Sequence, residues 1–134
     1  MAIIQGIQNA SGNTIINVCD LAVTATAAAN TAVTLTLPAV AAKKHAITLI
    51  DITRTATAAL VGSATLVITS TNLPGSMAWS VGNAMVAGGT QRDIVLPLVH
   101  PIISSVANTA TTIVCPAPGL AVLWRVNVLY FLTD

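Results

Sequence analysis

Apolar and polar residues alternate along much of the chain. In Val33–Leu37 (Val-Thr-Leu-Thr-Leu) the aliphatic residues fall on one face of an extended backbone and the threonines on the other. A period of two indicates a half-buried β-strand. Residues 45–53 and 64–70 continue the alternation and are rich in β-branched side chains, which favour strands. No segment carries a sustained 3.6-residue period with helix caps, so the pattern predicts an all-β protein.

Turn residues divide the pattern into short strands. Pro38, Pro97, Pro116 and the pair Gly88-Gly89 are typical of turns, and the strand that contains Asp93 is expected to stop at Pro97. The predicted strands are residues 14–19, 21–28, 31–37, 45–54, 63–70, 91–96, 109–115 and 121–132. Eight short strands of this spacing indicate a sandwich or barrel.

An internal repeat narrows the predicted fold. Residues 29–39 match residues 107–117, 78 positions later, at seven of eleven positions. In both copies a strand ends at Pro-Ala and a longer apolar strand follows, which indicates either a duplication or two hairpins of the same chemistry. Matching hairpins at matching places are a property of a double Greek key. We therefore predict one domain, residues 1–134, folded as an eight-strand antiparallel jelly-roll sandwich.

The amino-acid composition favours a protein that forms interfaces with other subunits. Hydrophobic residues make up 54% of the chain and charged residues only 7%, against about 25% in an average soluble domain. Membrane insertion, burial against partner subunits, and a surface polarised by Thr, Ser and Asn each fit this bias. The longest charge-free stretch, residues 55–91, is broken by glycines and a proline, so it is a poor spanning helix. The first six residues do not resemble a secretory signal. Subunit interfaces are the favoured explanation.

Chemistry-bearing residues are few. The net charge is +1 and the five Lys and Arg residues are scattered, which gives no footprint for nucleic acid. There are four acidic residues, and no motif for a nucleophile, a phosphate cradle or a metal. His45 and Asp51 are expected on one face of one strand, about 20 Å apart, too far to share a metal. We predict no enzyme activity, no cofactor and no metal.

Cys19 and Cys115 are expected to be buried free thiols, with one long-range disulfide as the alternative.

Several side chains are candidates for contacts with other subunits. The long uncharged segment 72–91 holds Trp79 and Met85, which are expected to cover an open end of the sandwich or to pack under a neighbouring subunit; sugar binding by Trp79 is the alternative.

Arg92 and Asp93 are expected to form a local surface pair or half of a subunit contact. Arg125, in the most apolar strand, either pairs with Asp51 at an interface or points to solvent. The candidate interface residues are Trp79, Met85, Arg92, Asp93, Trp124 and Arg125.

Several short stretches of the chain resemble those of a known protein family. The resemblance rests on seven stretches: Asn72-Leu73-Pro74-Gly75, Ala78-Trp79, Gly82-Asn83-Ala84-Met85, Gly88-Gly89-Thr90-Gln91, Asn108-Thr109-Ala110-Thr111-Thr112, Pro116-Ala117-Pro118-Gly119 and Trp124-Arg125-Val126-Asn127-Val128. In this pattern the chain resembles small virion proteins of tailed bacteriophages. In composition and length the whole chain resembles the capsid cement or decoration proteins with a jelly-roll fold. The resemblance implies a virion protein, assembled in the host cytoplasm, that binds the outer surface of a capsid. It implies the major capsid protein and copies of the chain itself, as a dimer or trimer, as partners, with no nucleic acid, membrane or small-molecule substrate.

Two other functions remain open from the sequence. The first is a jelly-roll binding module, such as the glycan-binding or receptor-binding head of a virion fibre. The second is a small secreted or outer-membrane β protein.

Overall fold

The observed elements are almost entirely strands. A computed structural model describes the backbone of Ile7–Gln8 and Thr14–Ile15 and the whole of residues 21–134. One 3-10 turn, Pro74–Ser76, lies within that part of the chain. The strands are β1 (Ile7–Gln8), β2 (Thr14–Ile15), β3 (Leu21–Thr26), β4 (Val33–Leu37), β5 (Lys44–Ala56), β6 (Thr65–Thr71), β7 (Ala78–Gly82), β8 (Thr90–Ile103), β9 (Thr111–Cys115) and β10 (Val122–Thr133).

Two four-stranded antiparallel sheets form a sandwich. Sheet I has the order β3-β10-β5-β8 and sheet II the order β4-β9-β6-β7, while β1 and β2 pair with each other. The chain crosses between the sheets after β3, β4, β5, β7, β8 and β9, so apart from the hairpin β6–β7 the neighbours in each sheet are not consecutive in the chain. This winding confirms the predicted all-β jelly roll.

Alternation sends one face of every central strand into the core. Val33, Leu35 and Leu37 of β4 are at most 3% exposed, whereas the threonines between them face solvent. In β10 the even-numbered residues from Val122 to Tyr130 are buried in the same way. Fully burying one such aliphatic side chain stabilises the fold by about 1.5–3 kcal/mol. The core therefore lies between the two sheets.

The strand boundaries differ from prediction in two places. The segment expected to be a long loop contains β7, which pairs with β6. The strand expected to end at Pro97 continues to Ile103, because β8 is the edge of sheet I and pairs only with β5. An edge strand tolerates proline, which lacks a donor, on the side that faces away from the sheet. The predicted first strand, residues 14–19, coincides with β2 at its start, and its remainder lies outside the described residues.

A bulge separates two side chains that were expected on one face. The register of β5 against β8 and β10 shifts between Ile47 and Leu49. One extra residue reverses the facing of everything beyond it. His45 therefore points inward and is 1% exposed, while Asp51 lies on the outer face of sheet I. The prediction that they share a face is wrong.

The sequence repeat is also a structural repeat. β4 and β9 pair antiparallel with Leu35 opposite Ile113, which are equivalent positions of the two copies. The equivalent residues Asn30 and Asn108 both have left-handed backbones, with φ of 57° and 54°.

Side-chain contacts repeat as well. His45 donates from Nε2 to the Pro38 carbonyl at 2.9 Å, and Trp124, 79 residues later, donates from Nε1 to the Pro116 carbonyl at 2.7 Å. A pseudo-twofold axis thus relates β4–β5 to β9–β10.

Candidate binding surface

Three uncharged loops meet at one end of the sandwich. They are residues 57–64, 83–89 and 116–121, which follow β5, β7 and β9. Leu60 and Met85 exchange two backbone hydrogen bonds of 2.9 Å, which ties the first loop to the second. Thr57 donates to the Ala121 carbonyl at 2.9 Å, which ties the first to the third. We refer to this region as the loop end.

An apolar cleft opens at the loop end. Its volume is about 530 Å³, within the range of sites that take a small ligand or an inserted side chain. Leu60, Val61, Met85 and Val86 form most of its wall, and Thr90 and Gln91 are polar groups on its lining. No charged side chain is among the described residues that line it. The cleft can therefore bind by apolar contact.

Exposed aliphatic side chains surround this cleft. Val61 is 95% exposed, Val86 73% and Leu120 75%, one on each loop. Scattered exposed valines are ordinary on a protein surface, but a group on neighbouring loops beside an apolar cleft is typical of an interaction site.

Glycines keep the loops close together. Gly119 has a φ of +111°, and a Cβ added there would lie 2.5 Å from Leu60 Cδ2. A Cβ on Gly62 would lie 2.8 Å from the side-chain nitrogen of Asn83. Close approach and cross-loop hydrogen bonds together hold the cleft in shape without a ligand.

A buried ion pair lies beneath the loop end. Arg54 of β5 donates from Nε and Nη2 to the two carboxylate oxygens of Asp93 on β8, both at 2.7 Å, and also from Nη2 to the Gly82 carbonyl at 2.7 Å. Both charged side chains are fully buried. The guanidinium lies 5.2 Å from the ring centroid of Trp124, a cation–π distance. This pair joins β5 to β8 and, through Gly82, sheet I to sheet II.

Burial and the Asp93 carboxylate both affect the pKa of Cys115, the one cysteine that the structure describes. Burial raises the pKa of Cys115 from 9.0 to about 12, and the negative charge of Asp93 adds to that effect. A thiol with such a pKa stays protonated at neutral pH, and the thiol form is a poor nucleophile. Cys115 is a free, buried thiol, while Cys19 lies outside the described residues.

A second group of exposed apolar side chains lies on β8 and in the loop that follows it. Val99 is 92% exposed, and Val95, Ile103 and Val106 are between 42% and 56% exposed. We call this group the β8 patch. Gln91 at the cleft and Val99 are eight residues apart on β8, which corresponds to about 25 Å. Sequence reasoning missed the β8 patch because the strand was expected to end at Pro97, although the alternation Val95-Pro97-Val99 continues through it.

The predicted interface residues are dispersed. Met85 lies in the wall of the cleft, and Trp79 is partly buried on β7 against the core. Trp124 is 0% exposed, so it cannot reach a partner and is a core residue. Arg125 is exposed on the outer face of sheet I.

The predicted charge pairs were wrong in their partners. Arg92 contacts Asp51 at 3.3 Å rather than Asp93, since Asp93 faces inward toward Arg54. Asp51 accepts from Arg92 and Asn127, whereas Arg125 is exposed on the outer face of sheet I, which is the second of the two placements expected for it. Arg54 was not singled out, although it falls in phase with the buried Ile50 and Ile52 and could have been placed on the inner face by that alternation.

Comparisons with protein-family models, with curated proteins and with solved structures give no match to this chain. Among the residues that the structure describes, no group of three or more His, Cys, Asp or Glu side chains could hold a metal ion. That part of the chain also has no helix long and apolar enough to span a membrane. The fold of this chain is that of a jelly-roll β-sandwich.

Proposed function

We propose that this chain is a capsid cement protein of a bacteriophage, which binds the outer surface of the assembled shell and links neighbouring capsid subunits. The observation that carries the proposal is the loop end, with its uncharged cleft of about 530 Å³ and one exposed aliphatic side chain on each of three loops, two of which are hydrogen-bonded to the loop of residues 57–64. An interface of this kind binds by removing apolar surface from water, at about 25 cal/mol per Å².

A linking protein needs two contact surfaces, and two separate apolar patches support this role. Gln91 at the cleft and Val99, the most exposed residue of the β8 patch, are about 25 Å apart along β8, so two different subunits can be contacted at once. Each additional contact raises avidity, because the second binding event becomes intramolecular.

The rigid architecture also supports adhesion. The cross-loop bonds and the buried Arg54–Asp93 pair hold the loop end in one conformation. Preorganised surfaces lose less conformational entropy on binding, so more of the apolar contact energy appears as affinity.

The proposal is tested by co-sedimentation with phage shells that lack the protein. The wild-type chain is expected to sediment with the shells. The double variant Val61→Asp/Val86→Asp and the single variant Val99→Asp should each bind at least about tenfold more weakly, since each buries a charge in an apolar contact.

The matched control is Val67→Asp, which places the same substitution at a 46% exposed position on the outer face of sheet II. It should bind as the wild type does. A wild-type chain that stays monomeric by light scattering and does not sediment with shells would overturn the proposal.

A further inference from the structure

The pseudo-twofold axis leaves one hairpin without a counterpart. It relates β4 to β9 and β5 to β10, with Leu35 opposite Ile113 at its centre. On the far side of β9 the hairpin β6–β7 extends sheet II. On the far side of β4, the equivalent position, no strand is paired among the described residues.

The open edge of β4 also lacks the usual protection. Exposed edge strands are blunted by charges, prolines or bulges, because a bare edge pairs with other chains. β4 has none of these: its sequence is Val-Thr-Leu-Thr-Leu and its register with β9 is regular. By contrast β8, the edge of sheet I, carries two prolines and two register shifts.

A second hairpin in the chain matches the missing one. β1–β2 precedes β3 as β6–β7 precedes β8, and both hairpins are antiparallel. In the sequence, Asn9 comes directly after β1 as Asn72 comes directly after β6, and a glycine stands three positions after each asparagine, at Gly12 and Gly75.

We infer that the hairpin β1–β2 of the same chain pairs with the open edge of β4, with β1 next to β4, and extends sheet II to six strands. Thr71 of β6 lies opposite Thr112 of β9. The corresponding positions, 63 and 78 residues earlier, are Gln8 and Thr34, so these two are expected to be opposite each other.

The same chain can reach this edge. Five residues lie between Ile15 and Leu21, and the six Cα–Cα steps that join these two span up to about 20 Å when extended. The two sheets of a sandwich are about 10 Å apart, so the connection from sheet I to the edge of sheet II is long enough. This surface is distinct from the loop end and the β8 patch, so its test is independent of the proposed function.

Disulfide trapping tests the pairing. In a Cys19→Ser background, Gln8→Cys/Thr34→Cys should form an intrachain disulfide under mild oxidation, detected by non-reducing electrophoresis and mass spectrometry. The control Gln8→Cys/Ser80→Cys moves the second cysteine to β7, the opposite edge of sheet II, and should not form one. Absence of the 8–34 disulfide, or equal formation in the control, overturns the pairing. An 8–34 disulfide between two chains overturns the same-chain assignment and shows that a second copy supplies the hairpin.

Hydrogen exchange of the unmodified chain provides a test without substitution. A strand paired on both sides protects all of its amides, whereas an edge strand leaves alternate amides open. The outward amides of β4 should exchange at least about tenfold more slowly than those of β7. Equal, fast exchange at alternate residues of both strands would overturn the inference.

Discussion

At the residue scale, the most consequential side chains are the two charges that the fold encloses. Asp93→Asn leaves the Arg54 guanidinium buried without a counter-charge, and breaking a buried pair in this way costs about 3–5 kcal/mol. We expect that loss in the free energy of unfolding measured with urea. Asp51→Asn is the matched control: its partner Arg92 is 63% exposed, and a surface pair contributes at most about 1 kcal/mol. Similar costs for both variants would contradict the role given to Asp93.

The raised pKa of Cys115 predicts that the folded chain loses stability at alkaline pH. Its folded-state pKa is raised to about 12 while the unfolded thiol titrates near 9, so the unfolded chain loses this proton first. The stability from the buried neutral thiol is fully present below pH 9 and is lost as pH rises toward 12, by at most about 1.4 kcal/mol per pH unit. Burial raises the pKa of Tyr130 and acts in the same direction.

Chemical denaturation between pH 8 and 11 should therefore show falling stability, and Cys115→Ala should make the fall shallower. The comparison concerns the slope with pH, because removal of a buried sulfur lowers stability at every pH. Parallel slopes for the two proteins would contradict the raised pKa.

Gly119 allows its loop to lie close to Leu60 in the wall of the cleft. Gly119→Ala places a Cβ 2.5 Å from Leu60 Cδ2 at a left-handed backbone position, and we expect it to destabilise the chain by about 1–3 kcal/mol. Gly75→Ala is the control, since Gly75 also has a positive φ but a Cβ there meets nothing within 4 Å. Thermal unfolding should show the larger loss for Gly119→Ala; equal losses would mean that backbone strain alone acts.

At the element scale, the position of β8 at the edge of sheet I explains why Pro97 does not end the strand. Pro97 and Pro101 lie on an edge strand, where a missing donor breaks no pairing and discourages pairing with other chains. The variant Pro97→Thr/Pro101→Thr should aggregate faster with nearly unchanged unfolding free energy, as measured by light scattering against concentration. A variant as soluble as the wild type would show that the prolines do not protect this edge.

At the scale of the whole molecule, the distribution of charge predicts how binding responds to salt. No charged side chain is among the described residues that line the cleft at the loop end, so screening has little to act on there. Affinity for the shell should change less than about threefold between 0.05 and 0.5 M NaCl and should increase in sulfate, which strengthens apolar association. Co-sedimentation across both salts measures this, and a steep loss of binding with NaCl would indicate that arginine or lysine contacts dominate.

The class of fold could be predicted from the amino-acid sequence. The strict alternation of residues 33–37 predicts a strand because a pleated backbone sends neighbouring side chains to opposite faces, and β4 has those bounds. The repeat of residues 29–39 predicted two matching strand–turn–strand units, and the structure contains them as β4–β5 and β9–β10. The prediction that these units are hairpins is wrong, because in each of them the chain crosses from sheet II to sheet I. The strands and the repeat are local properties, which a short window of residues is enough to specify.

Only the tertiary structure decided which residues meet. Pro97 was expected to end a strand because an edge position cannot be read from neighbouring residues. The bulge near Thr48 reversed the facing of His45, and Asp93 found Arg54, 39 residues away, rather than the adjacent Arg92. The loop end likewise joins three segments that are far apart in sequence. Such contacts depend on the register and order of strands across the whole sandwich, so local patterns predict the strands but not the surface that they form.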